Sequence, residues 1–146
     1  MLSVIQELAG EDVILDHTHV QGRVEDWKRR LSSLYSEIVA WFPDLRSDQS
    51  DTVEMYEDLM REYGVSPTRV PVLRLFEQHD QVAKFVPRGL WIIGANGRVD
   101  LFTPKGHFLI FDRSEYSEPS RWEIASSLRR LEPEPLTPDT LLRALS

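Results

Sequence analysis

The chain predicts an α+β fold, with N-terminal helices packed on one face of an antiparallel meander of about five or six strands and a short C-terminal helix. Three observations carry this. Apolar residues recur at helical steps over 24–42, the period changes to that of strands after Pro67, and turn signals then separate one apolar run from the next. With 146 residues the chain is of single-domain size, and 1–146 is read as one α+β domain large enough to bury a core without staples.

From the front, SVIQEL reads as a short helix, with Ser3 as N-cap, Gln6 at the capping-box position and Gly10 as its end. Val13–Ile14–Leu15 reads as a strand leading into the extended segment DHTH. In VEDWKRRLSSLYSEIVAWF the residues Val24, Trp27, Leu31, Leu34, Ile38 and Trp41 form an apolar stripe, while Glu25, Arg29, Ser32 and Ser36 face out and Pro43 closes the helix. DTVEMYEDLMREYG reads as a second helix, with Asp51 and Glu54 at N-cap and N3 and Gly64 at C′.

The strands follow. VPVLRLFE and VAKFVP flank the turn QHDQ, and GLWIIG and RVDLF flank ANG, where Asn96-Gly97 is the dipeptide of a type I′ hairpin. A phosphate-holding loop would lead into a helix N-terminus, whereas here a strand follows. TPKG then turns the chain into HFLIFD, and RWEIA adds a last strand. Residues 132–138 are a proline-rich spacer, after which Thr137, Pro138 and Asp139 open a helix through Leu145.

Composition narrows the function classes. Without cysteine there is no disulfide, thiolate metal site or catalytic thiol, and a reducing, cytoplasmic setting is the expectation. The front of the chain has no basic, apolar leader pattern, and no run is long enough to span a bilayer. A net charge of −7 argues against general nucleic-acid binding, which needs clustered Lys and Arg. Much of that charge sits between Asp44 and Glu62, where seven acids meet only Arg46 and Arg61.

Three groups of residues invite chemistry. In an extended chain His17 and His19 would point to one side, as two candidate metal ligands. RVDLFTPKGHFLIFDRSE resembles the catalytic hairpin of the PD-(D/E)XK nuclease superfamily over about twenty residues. That resemblance implies Asp100 and Asp112 on adjacent strands, sharing a divalent cation that activates water. Where the family has its lysine this chain has Ser114, with Arg113 beside it. Finally Asp51, Glu54, Asp58 and Glu62, at helical spacing, would form an acidic ridge on the second helix. The tryptophans read as core, except Trp122, which in the polar setting SRWE reads as a surface anchor.

No motif here is specific enough to name an activity. The expectation is a non-catalytic protein-interaction or accessory module without a cofactor, using the acidic helix face to cap a partner protein with a basic surface. The alternative is a metal-dependent phosphodiesterase built on Asp100 and Asp112.

Overall fold

The computed structural model describes residues 15–128 and 132–146. The helix expected after Ser3 and the strand expected at 13–14 lie outside these residues, and Leu15 belongs to no strand.

The long helix α1 spans His17–Trp41 and starts well before Val24. Asp16 is extended (φ −141°) and its side chain accepts from His19 N at 2.8 Å, so DHTH is a helix start and not an extended loop. Its buried side chains include Val20, Val24, Trp27, Leu31, Leu34, Tyr35 and Ile38, the expected stripe extended at its front.

After α1 come β1 (Arg46–Asp48), β2 (Thr52–Met55), α2 (Asp58–Glu62), β3 (Thr68–Pro71), β4 (Leu73–Glu77), β5 (Asp80–Gly89), β6 (Arg98–Thr103), β7 (Gly106–Asp112), β8 (Trp122–Ser126), β9 (Glu134–Pro135) and α3 (Pro138–Leu145). Seven strands form one antiparallel sheet in the order β1-β4-β5-β6-β7-β8-β9, and β2 with β3 forms a second, small one. The strands beyond the expected meander include β1, β2 and β9, segments of two to four residues that are too short for a period to register.

Strand alternation divides the large sheet into two faces. Leu75, Phe85, Val99, Leu101, Ile110 and Ile124 are buried and share the face under α1. Tyr35 meets Phe85 there at 6.4 Å between ring centroids, and Trp27 meets Trp122 at 6.1 Å. Trp122 therefore belongs to the core contact and is no surface anchor. Leu141 and Ala144 of α3 join the same core, and Thr103 Oγ1 donates to Ala144 O at 2.8 Å. Among the described residues, no helix covers the opposite face.

Two expected elements differ. DTVEMYEDLMREYG is not one helix: Thr52–Met55 is a strand and only Asp58–Glu62 is helical. The capping-like spacing of Asp51 and Glu54 hid a period of two, in which Val53 and Met55 turn toward the core while Thr52 and Glu54 turn away. Thr52 and Val53 are β-branched and suit the pairing with Pro71 and Val70. Likewise GLWIIG is no strand, because β5 runs on to Gly89 and pairs directly with β6. Residues 90–97 form a wide loop carrying one isolated bridge, Ile92 with Ala95. A type I′ turn needs positive φ at both central residues. Gly97 has it, at +116°, but Asn96 is not among the positive-φ residues, so Asn-Gly serves another purpose here.

The remaining signals hold. Gln78 (φ 56°) and His79 turn β4 into β5, Pro104 and Lys105 turn β6 into β7, and Thr137 caps α3 in a capping box with Thr140. No helix of the described residues is long and apolar enough to cross a membrane.

Candidate functional site

Asp100 and Asp112 lie on adjacent strands but on opposite faces. Asp100 pairs with Leu109, Val99 pairs with Ile110, and Asp112 shares the Ile110 face under α1. Two carboxylates on opposite sides of a sheet cannot share one cation, so the geometry implied by the nuclease resemblance is not present. Each is instead neutralised by arginine.

Asp112 is fully buried at the centre of a polar cluster. Its Oδ2 accepts from Arg30 Nη1 at 2.9 Å, and its Oδ1 accepts from the backbone N–H groups of Ser114 and Arg121, both at 2.9 Å. Arg30 Nη1 also donates to Asn96 O at 2.7 Å, while Arg30 Nε donates to Asp26 at 2.8 Å. Asn96 N donates to Asp112 O and Asp112 N to Gly97 O, so the Asn96-Gly97 backbone is tied to the end of β7. Arg23, one of the most buried side chains, donates to Asn96 Oδ1 at 2.7 Å and lies 4.7 Å from the Tyr116 ring. Burial, then the neighbouring Arg30, brings its guanidinium down to about 10. Nearby, Glu57 accepts from the N–H groups of Leu90 and Trp91 and pins the front of the 90–97 loop. Burial raises its carboxyl, with those two N–H groups pulling the other way.

On the uncovered face Asp100 accepts from Arg98 Nε at 2.8 Å and Arg88 Nε at 3.0 Å. His107 Nε2 lies 3.1 Å from Oδ2 without hydrogen-bond alignment, its ring stacked on Phe102 at 4.7 Å. Burial alone would raise the Asp100 carboxyl, but the bonds from Arg98 and Arg88 outweigh it and hold the group below its ordinary 3.8. A depressed carboxyl stabilises the fold above the unfolded pKa and loses that contribution as pH falls through the folded one. The stability gap between wild type and Asp100→Asn should therefore stay constant down to about pH 4 and then narrow. Urea midpoints across that range would read this, and a gap constant to lower pH would mean the two arginines do not stabilise the anion.

The remaining expected sites disperse. His17 and His19 sit two apart in a helix, so their side chains diverge by roughly 200°. His17 Nδ1 lies 2.9 Å from Tyr63 O, while His19 meets the edge of Tyr116 at 5.4 Å and is lowered by burial and then by Arg23. Among the described residues no three His, Asp or Glu side chains are grouped as metal ligands. The acidic ridge does not exist as a helical stripe. Asp51 precedes β2 and pairs with Arg74 at 2.9 Å, Glu54 lies in β2 opposite Arg69, Asp58 pairs with Arg61 at 2.8 Å, and only Glu62 shares a helix with Asp58.

Arg23, Arg30, Asn96 and Glu57 were missed. The first two had a signal: with Trp27 and Leu34 they fall on the apolar stripe, where a charged residue means a buried partner.

The uncovered face carries Arg46, Arg74, Lys84, Arg88, Arg98 and Arg113 against Asp48, Asp100, Glu123 and the Asp51 that pairs with Arg74. Three guanidinium groups lie over phenyl rings: Arg46 over Phe76 at 4.1 Å, Arg113 over Phe111 at 4.7 Å and Arg88 over Phe102 at 5.9 Å. No family model, curated protein or solved structure matches this chain.

Proposed function

We propose that this chain is a non-catalytic interaction module that binds an acidic segment of a partner protein across the open sheet face. One observation carries the reading: an acidic chain places six basic side chains on the face of its large sheet that no described helix covers, three of them held over phenylalanine rings. Guanidinium groups already stacked lose less side-chain freedom on binding, and their planar forks suit carboxylates. The excess of positive charge would steer an acidic partner toward this face.

A basic partner, by contrast, would need the acids of 44–62 presented together, and Asp51 precedes β2, Glu54 lies within it and Asp58 begins α2. The two carboxylates of the hydrolytic alternative face opposite ways.

Fluorescence anisotropy with labelled glutamate-rich and lysine-rich peptides tests the reading. The glutamate-rich peptide should bind, more weakly as salt rises, and lose at least about tenfold in affinity in Arg46→Glu/Lys84→Glu/Arg113→Glu. None of these three side chains bonds to a buried acid, so the variant should stay folded. Binding of the lysine-rich peptide alone would return the role to the 44–62 segment. A single-stranded oligonucleotide that outcompetes the glutamate-rich peptide would replace the protein partner with a nucleic acid.

A further inference from the structure

The loop between β5 and β6 carries an ordered apolar tip. Ala95 N donates to Ile92 O at 3.2 Å and Gly94 has a φ of +81°, so residues 92–95 form a β-turn with glycine third, the type II pattern. The turn is held from both sides. Glu57 accepts from the N–H groups of Leu90 and Trp91, and Arg113 Nη1 donates to Gly94 O at 3.2 Å. Ile93, second in the turn, is 80% exposed, and Trp91 and Ile92 before it are half-buried. Single exposed apolar residues are ordinary, but three in succession on a fixed turn keep apolar surface in water where polar residues would serve the turn as well.

The tip is set among cations of the open face. β5 ends with Arg88 and Gly89 and β6 begins with Arg98, so an open-face arginine stands at each end of the loop, both donating to Asp100. A third, Arg113, lies over Phe111 and holds the tip itself. At the front of the loop Trp91 borders Glu57 and Asp58 instead, a side that repels further acids.

We propose that the partner's acidic segment carries an apolar side chain beside its carboxylates, and that this side chain docks on Ile93 while the carboxylates run from the tip onto the basic face. The inference rests on the acidic partner read above and names its chemistry: acids and an apolar anchor in one short segment, with the acids on one side of the anchor. Because the turn is already fixed, Ile93 gains its contact without the ordering cost of a free loop. A second copy of this chain, packed face to face about a two-fold axis, would set arginine against arginine. An anionic bilayer offers both chemistries, but as a plane it meets the whole flank of a chain of net charge −7, whereas a segment meets the basic face alone.

Fluorescence anisotropy tests the docking with two labelled glutamate-rich peptides of equal length and charge, one ending in leucines and the other in serines. Wild type should bind the leucine peptide at least about fivefold more tightly. In Ile93→Ser, which alters a side chain in water and should leave the fold intact, that preference should fall below about twofold while the serine peptide binds as before. Equal binding of both peptides by wild type would overturn the anchor and leave the acidic partner standing, whereas binding of neither would overturn both. A leucine preference that survives Ile93→Ser would put the apolar contact elsewhere and overturn the assignment to the tip. Pelleting with vesicles of phosphatidylserine and phosphatidylcholine in equal parts, and sedimentation equilibrium of the protein alone, check the other occupants. Neither result should depend on Ile93. Vesicle binding or self-association that is lost in Ile93→Ser would give the tip to a bilayer or to a second copy and overturn the proposal.

Discussion

Gly97→Val should destabilise the protein by on the order of 4 kcal/mol or more, beyond the range of ordinary substitutions. A Cβ at this position would lie 2.2 Å from Cζ3 of Trp27, 2.6 Å from Cη2 and 2.7 Å from Cε3. Trp27 is 1% exposed and packed against Trp122, so its ring can yield only by opening the contact between α1 and the sheet. The φ of +116° adds a second cost that a β-branched residue meets in full. Gly94→Ala separates the two costs. Gly94 also has positive φ, +81°, but nothing lies within 4 Å of a Cβ there, so only the conformational cost of about 1–2 kcal/mol should appear. Urea midpoints of the two variants measure the difference. If Gly97→Val cost no more than Gly94→Ala, the tryptophan would be free to move and the close approach would carry no energy.

The same glycine shows how far sequence reasoning reached. Asn-Gly between apolar runs marks a position needing positive φ, and Gly97 has it. The reason inferred, a two-residue hairpin, is not the reason found, which is the tryptophan ring pressed against the backbone. Periodicity located Trp27 on the stripe of α1, but contacts between residues seventy positions apart leave no local pattern. Long elements were legible because many side chains vote for one period, as in α1, β5 and β7. Thr52–Met55 was not, since four residues fit a helical and an extended reading equally until Pro71 and Val70 are seen opposite. The site suffered more. Asp100 and Asp112 were noticed for their strand spacing, yet which face each meets depends on register, and a shift of one residue exchanges the faces.

That difference in face sets the second large effect. Asp112→Ala should cost about 3–5 kcal/mol, the range seen when one partner of a buried ion pair is removed. The loss has two parts: Arg30, 8% exposed, is left with Asp26 alone, and the N–H groups of Ser114 and Arg121 lose their acceptor. Asp100→Ala should cost less although Asp100 is only 3% exposed, because its partners Arg88 and Arg98 have side chains 49% and 35% exposed and can return to water. Asp112→Asn keeps the shape, and its side-chain oxygen can still accept from the two N–H groups, so it should fall between. The test of the pair itself is a double-mutant cycle with Arg30→Met. In the double variant Arg30→Met/Asp112→Ala, Arg30 is no longer an unpaired buried charge, so its loss should be smaller than the sum of the single losses by at least about 1 kcal/mol. Strict additivity would mean that Asp112 acts through the two backbone N–H groups alone. Equal losses for Asp100→Ala and Asp112→Ala would mean that burial of the partner arginine does not set the cost.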